Sequence, residues 1–209
     1  MASNVRRVSA VAALVIGWLG CAAPTWAQES AGLVLTVVIR GQELVASDVL
    51  QQSMTVVSRI YRQVGVEIAW LQPDGFAAAM PSDTEDRIRF CRRIVLVTLH
   101  ETVPPGFLPG RMEVLGVAGS GTRLAHVFLD RATTVADRGR VHLGDLLGHV
   151  IAHEMGHLLL PPNAHTLRGL MRASLDLELV DRQRLEFDRG QAAMIRAKVA
   201  AEMRTADVH

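Results

Sequence analysis

Leu143-Gly-Asp-Leu-Leu-Gly-His-Val-Ile-Ala-His-Glu-Met-Gly-His-Leu-Leu-Leu160 is followed directly by Pro161-Pro162. Leu146, Leu147, Val150 and Ile151 recur at the i, i+3, i+4 spacing of a buried helical face, so the stretch predicts a helix. Proline cannot continue it, which places the end near Leu160. Inside this helix stands His153-Glu154-Met155-Gly156-His157. Residues four apart on a helix sit about 40° from each other around the axis and roughly 6 Å apart along it. His153 and His157 can therefore offer two imidazoles to one metal ion. Glu154 then lies beside that ion, where it can take a proton from a water the metal polarises. Beyond the prolines the chain can turn back and bring His165 to the same ion. Three protein ligands leave the fourth tetrahedral position open, the arrangement of a catalytic rather than a structural zinc site.

Upstream, Leu33–Ile39 is a β-branched run that reads as a buried strand. A helical pattern from about Ser47 to Val64 follows, with Ser47 as N-cap and Val49, Leu50, Met54, Val57, Ile60 and Tyr61 as its apolar face. Gly65 closes it, and Val66–Leu71 alternates as a second strand. Residues 76–87 read as a loop or short helix. Arg93–Leu99 is a third, central strand, and Val114–Ala118 and Leu124–Leu129 are two shorter ones. After the metal helix, residues 174–187 connect to a last helix over about 189–203. Asp188 and Gln191 form a capping box there, with Phe187 as its staple. The expected architecture is a single α/β (α+β) domain. It has a twisted mixed sheet of about five strands, two long helices, one carrying the zinc motif, and a small C-terminal helical part.

The N-terminus reads as a secretory signal over residues 1–27. Arg6 and Arg7 precede an apolar stretch from Val8 to Leu19, too short to span a bilayer, and Thr25-Trp26-Ala27 offers a cleavage site. The competing lipoprotein reading, with Cys21 as the lipidated residue, is disfavoured by Trp18, which stands where a small aliphatic side chain is needed. The domain proper is then 28–209, secreted or periplasmic, with no stable membrane insertion after cleavage. Removing residues 1–27 takes away Arg6 and Arg7 and no acid, so the formal charge moves from +1 to −1. A near-neutral chain gives no reason to expect nucleic acid or an anionic membrane as partner.

Together, His153-Glu154-x-x-His157, His165 and Gly169-Leu170-Met171 resemble the metzincin superfamily of zinc metallopeptidases. More narrowly, they are similar to a group of small secreted bacterial metzincin-like proteins. Gly169-Leu170-Met171 corresponds to the methionine turn lying beneath the metal in that superfamily, and the order of elements before the motif helix also matches. The usual signature places a glycine at what is here Leu160 and the third ligand at Asn163. The resemblance thus implies a longer turn shaped by Pro161-Pro162, with His165 as ligand. Two competitors stand beside His165. Asn163 keeps the usual spacing but is a poor zinc donor, and Glu178 lies close to the spacing of a family whose third ligand is a glutamate on a following helix. The tyrosine that helps hold the oxyanion in some members is missing, since Tyr61 lies far upstream.

The implied function is a secreted zinc-dependent endopeptidase. It would hydrolyse peptide bonds through a zinc-activated water, with Glu154 as general base and a peptide or protein as substrate. That substrate would lie extended along a sheet edge, with Leu124–Leu129 as the candidate strand. Two alternatives keep the metal and change the chemistry: a secreted zinc-binding module without peptidase activity, and a zinc hydrolase acting on non-peptide amides of the cell wall. His149 reads as a helix-packing residue, and His100, His126 and His142 as surface or capping residues. Cys91 is expected to be a small, partly buried side chain at or just before the third strand, with an inhibitory thiolate as its sharper alternative.

Overall fold

The computed structural model describes residues 32–105, 107, 114–119 and 121–204, so the segment read as a signal lies outside the described residues. Five strands, β1 (Leu33–Arg40), β2 (Val66–Leu71), β3 (Ile94–His100), β4 (Gly116–Ala118) and β5 (Leu124–Phe128), form one mixed sheet in the order β2-β1-β3-β5-β4. β1 runs parallel to both β2 and β3, and β3 parallel to β5; β4 alone is antiparallel, paired with β5. Parallel strands are covered on both faces, which is why β1 and β3 read as continuous apolar runs. Leu35, Val37, Ile39, Val95, Val97 and Leu99 belong to the main core, whereas Val38 and Ile94 pack in a second cluster with Phe76.

Helices build the two covering layers. α1 (Ser47–Gln63) links β1 to β2, and α2 (Pro73–Ala79) and α3 (Thr84–Arg92) link β2 to β3. α4 (Leu129–Gly139) starts directly off β5 and leads into α5 (Leu143–Leu159), the motif helix. α6 (Leu177–Asp181) and α7 (Arg189–Arg204) complete the chain. The sheet, α1 and α5 match the expected architecture; α3, α4 and α6 are additions to it. Among the described residues no helix is long and apolar enough to cross a membrane.

α5 is buried on nearly all sides, as its largely apolar sequence requires. His142 caps it, its Nδ1 accepting from the Gly144 N–H at 3.2 Å, and Leu160 before Pro161 ends it. Gly144 and Gly148 let α1 approach closely. A methyl group at Gly144 would lie 2.8 Å from Gln52 Cβ, and one at Gly148 would lie 2.6 Å from Val56 Cβ and 2.8 Å from the Ser53 carbonyl. The capping box of α7 is reciprocal: Gln191 N–H donates to Asp188 Oδ1 at 2.8 Å and Asp188 N–H to Gln191 Oε1 at 3.1 Å.

Three local expectations are corrected. α1 begins one residue early, with Ala46 at the cap position and Ser47 already helical. Cys91 lies on α3 and is exposed, its Sγ 4.0 Å from Met80 Sδ. It is neither buried nor among the residues gathered at the histidine cluster. Leu124–Phe128 is not an edge, because β3 and β4 occupy its two sides. Among the described residues, β4 is the outermost strand on that side of the sheet.

Candidate metal centre

His153 and His157 project from one edge of α5, one turn apart. After Leu160 the chain passes Pro161-Pro162 and reverses at Asn163, whose φ of 62° is a left-handed conformation that asparagine tolerates better than most residues. His165 is thereby carried back to the helix. His157 Nε2 lies 3.0 Å from Nε2 of His153 and 3.0 Å from Nε2 of His165. Tetrahedral Zn–N bonds of about 2.0–2.1 Å separate ligand nitrogens by about 3.3 Å, so the three imidazoles fit such an ion. Among the described residues these three histidines form a group able to hold a metal ion. The two competitors stand apart from it. Asn163 is the pivot of the turn, and Glu178, exposed on α6, pairs with Arg182 at 2.8 Å.

The Gly169-Leu170-Met171 turn supports this cluster from below. His153 Nδ1 is 2.8 Å from the Leu170 carbonyl. A carbonyl only accepts, so Nδ1 carries the hydrogen and Nε2 presents its lone pair to the cluster. Met171 is fully buried, and a methyl group at Gly156 would come within 2.6 Å of its sulfur. Gly169 adopts φ 77°, and a side chain there would meet the Glu186 carbonyl at 2.7 Å. The turn is tied on both flanks: Leu170 N–H donates to Glu186 O at 2.8 Å, and Thr166 N–H to Met171 O at 2.9 Å. The turn itself was legible in the sequence, but the Leu170 carbonyl as the partner of His153 was not.

Electrostatics prepare the cluster for a cation. Burial, then the neighbouring His153 and His165 rings, push the His157 imidazole down to about 4, so it is neutral at pH 7. Burial also lowers His153, against the Leu170 hydrogen bond. Neutral imidazoles are the form that binds metal. Glu154 is 6 % exposed, and burial pushes its carboxyl up to about 8, with the Ala118 backbone N–H pulling the other way. A dication beside it favours the ionised form. β4 lies against this residue, since a methyl group at Gly116 would sit 2.7 Å from Glu154 Cγ. Zinc affinity of His165→Ala, measured by competition with a chromophoric chelator, is expected to drop by at least tenfold, and that of Glu178→Ala to stay unchanged. The opposite pattern would make Glu178 the third ligand.

The remaining histidines and the tyrosine have other partners. Tyr61 is buried against Phe187, and its hydroxyl donates to the Ala152 carbonyl at 3.3 Å. His100 Nε2 and His126 Nδ1 lie 2.9 Å apart, beside Phe107 and Phe128. His149 is fully buried, with Nδ1 donating to the Asp145 carbonyl at 2.7 Å. Burial lowers its pKa from the ordinary 6.5, against the Asp145 hydrogen bond. The unfolded chain thus takes up this proton more readily than the folded one, and stability falls as pH drops below about 6.5. One such proton contributes at most about 1.4 kcal/mol per pH unit. Urea midpoints for His149→Gln are therefore expected to fall less steeply than wild type between pH 6.5 and 5. Parallel curves would deny His149 that role.

No protein-family model matches the chain, and no curated protein matches it. Solved structures do. A zinc-dependent peptidase from Methanocorpusculum labreanum matches with TM-score 0.52 and 13% identity, over 77% of this chain and 99% of that one. The archaemetzincin of Archaeoglobus fulgidus, complexed with malonate, matches with TM-score 0.47 and 19% identity over 77% and 99%. That of Methanopyrus kandleri matches with 0.48 and 18% over 83% and 99%. The first similarity bears on the fold: this five-stranded sheet with its motif helix is an architecture that a solved zinc-dependent peptidase also uses.

Proposed function

We propose that this protein is a secreted zinc-dependent endopeptidase of metzincin type, with His153, His157 and His165 as zinc ligands and Glu154 as general base. The observation that carries the reading is the convergence of three imidazole nitrogens next to a buried carboxylate, against the outermost described strand of the sheet. When bound, zinc supplies Lewis acidity that lowers the pKa of a water toward ~7 and stabilises negative charge on the scissile carbonyl oxygen. Glu154 takes one proton from the attacking water and later delivers it to the leaving amine. Its burial keeps competing bulk water away from the carboxylate and strengthens its local electrostatic interactions. The substrate backbone lies along β4, the outermost described strand, next to Glu154, rather than along β5. The positive n-region at Arg6-Arg7, the apolar stretch after it and Thr25-Trp26-Ala27 support export, with the domain starting after Ala27.

The test is cleavage of a complex peptide library by the zinc-loaded protein, with new termini read by mass spectrometry and a chelated sample alongside. Zinc-dependent new termini are the expected result. Stoichiometric zinc with no cleavage would overturn the peptidase reading in favour of a zinc-binding module or a hydrolase of non-peptide amides.

A further inference from the structure

His165 is held differently from the two histidines on α5. It is exposed and sits on an irregular segment between Pro162 and the Gly169-Leu170-Met171 turn. Among the described residues its ring is hydrogen-bonded only toward His157 Nε2, at 3.0 Å. His153, by contrast, has the Leu170 carbonyl on its Nδ1. The place of the third imidazole is therefore set through its own backbone, by the residues on either side of it.

Both of those neighbours face one side chain. Gln191 Nε2 lies 3.4 Å from the Ala164 carbonyl and 3.5 Å from Thr166 Oγ1. The amide can point only one way. Asp188 N–H donates to it at 3.1 Å and so requires its oxygen. Thr166 Oγ1 donates its single hydrogen to the Arg168 carbonyl at 2.8 Å, so toward Gln191 it accepts, as the Ala164 carbonyl must. Gln191 is 4 % exposed, so bulk water does not stand in for these partners. It belongs to the first turn of α7, whose Ala192, Ile195 and Val199 are anchored in the main core. Capping α7 uses only the amide oxygen, which a glutamate would supply equally. The Nε2 end serves the segment that carries His165.

We propose that Gln191 is a positioning residue for the metal centre: its amide nitrogen ties Ala164 and Thr166 to the first turn of α7 and so sets where the His165 imidazole meets the ion. This rests on the reading of His165 as third zinc ligand. Leu170 orients His153 through its ring, and Gln191 orients His165 through its backbone. Losing such a partner lowers metal affinity without removing a donor atom.

Two substitutions with opposite side effects isolate the amide donor. Gln191→Met is uncharged and gives up the cap as well, whereas Gln191→Glu keeps an acceptor for Asp188 N–H and adds a charge. The lost donor is what they share. Zinc affinity, measured by competition with a chromophoric chelator, is expected to fall roughly three- to tenfold in both, the range of one or two ordinary hydrogen bonds. In a His165→Ala background, Gln191→Met is expected to shift zinc affinity by less than about twofold, because the group it acts through is gone. At saturating cobalt(II), the visible bands of Gln191→Met are expected to shift from those of wild type, a change that loosening elsewhere in the fold would not produce. Wild-type affinity in either variant overturns the proposal. Unshifted cobalt bands, or an equal loss of affinity with and without His165, overturn it too. A His165→Ala protein that binds zinc as tightly as wild type strikes the ligand reading itself, and this proposal with it.

Discussion

Glu154→Ala is expected to hold zinc as wild type does and to lose turnover by roughly 10²–10⁴-fold, the range attached to a positioned proton-transfer group. The metal is retained because the carboxylate is not one of the three gathered nitrogens, and because the Leu170 carbonyl that orients His153 is untouched. On the proposed mechanism turnover falls because two steps would lose their carrier: the proton leaving the attacking water and the proton arriving at the amine. Among the described residues, Tyr61 is not placed to replace it. Tyr61 is buried beneath α5 with its hydroxyl on Ala152. Metal content by elemental analysis and initial rates on the best library peptide are the two readouts. A variant that loses zinc would make Glu154 a support of the metal, and one that keeps wild-type rates would remove it from the chemistry.

Gly148→Val is expected to weaken the packing of α5 on α1 and to lower stability markedly. Valine's Cβ alone would lie 2.6 Å from Val56 Cβ and 2.8 Å from the Ser53 carbonyl, and backbone cannot swing aside as a side chain can. Glycine inside a helix is itself unfavourable by about 1 kcal/mol relative to alanine, so the substitution recovers part of its own damage. Overpacking of a tight contact costs about 1–3 kcal/mol or more, and valine's two further methyl groups put this case at the upper end. The net expectation is a loss of about 2–3 kcal/mol, a fall in Tm of roughly 5–10 °C for a domain of this size. Gly148→Ala is expected to fall between valine and wild type. A Tm within two degrees of wild type for valine would show that α1 can retreat from α5 at little cost.

The parts of the molecule that were legible in sequence are those whose cause is local. Helical periodicity over 143–160, the prolines that end it and the β-branched runs of β1 and β3 each dictate their own conformation. The histidine spacing follows directly from the helix. What was not legible depends on neighbours distant in the chain. α4 buries Leu129, Ala132 and Ala136, two of them alanines, so its apolar stripe is faint, and it leaves β5 without a capping side chain. α3 buries none of its residues and is held by an Asp83 cap and an Arg89–Glu85 pair at 2.6 Å, signals weaker than an apolar face. Assigning β5 to the edge failed for a topological reason, since strand order is fixed by long-range pairing with β3 on one side and β4 on the other. For the same reason nothing local in Gly116 or Ala118 announces that they border Glu154.

Leu170, whose carbonyl holds His153, and His165, which faces His157, both lie beyond the prolines, while the residues they serve belong to the helix that packs on α1 and the sheet. The centre thus straddles a seam between the chain up to Leu160 and the segment 161–204. An ion bound there acts as a clasp, and its binding free energy is also docking energy for that segment. Chelation should accordingly loosen the molecule unevenly. Protease sites within 161–188 should open first, while the sheet and α1 keep their protection.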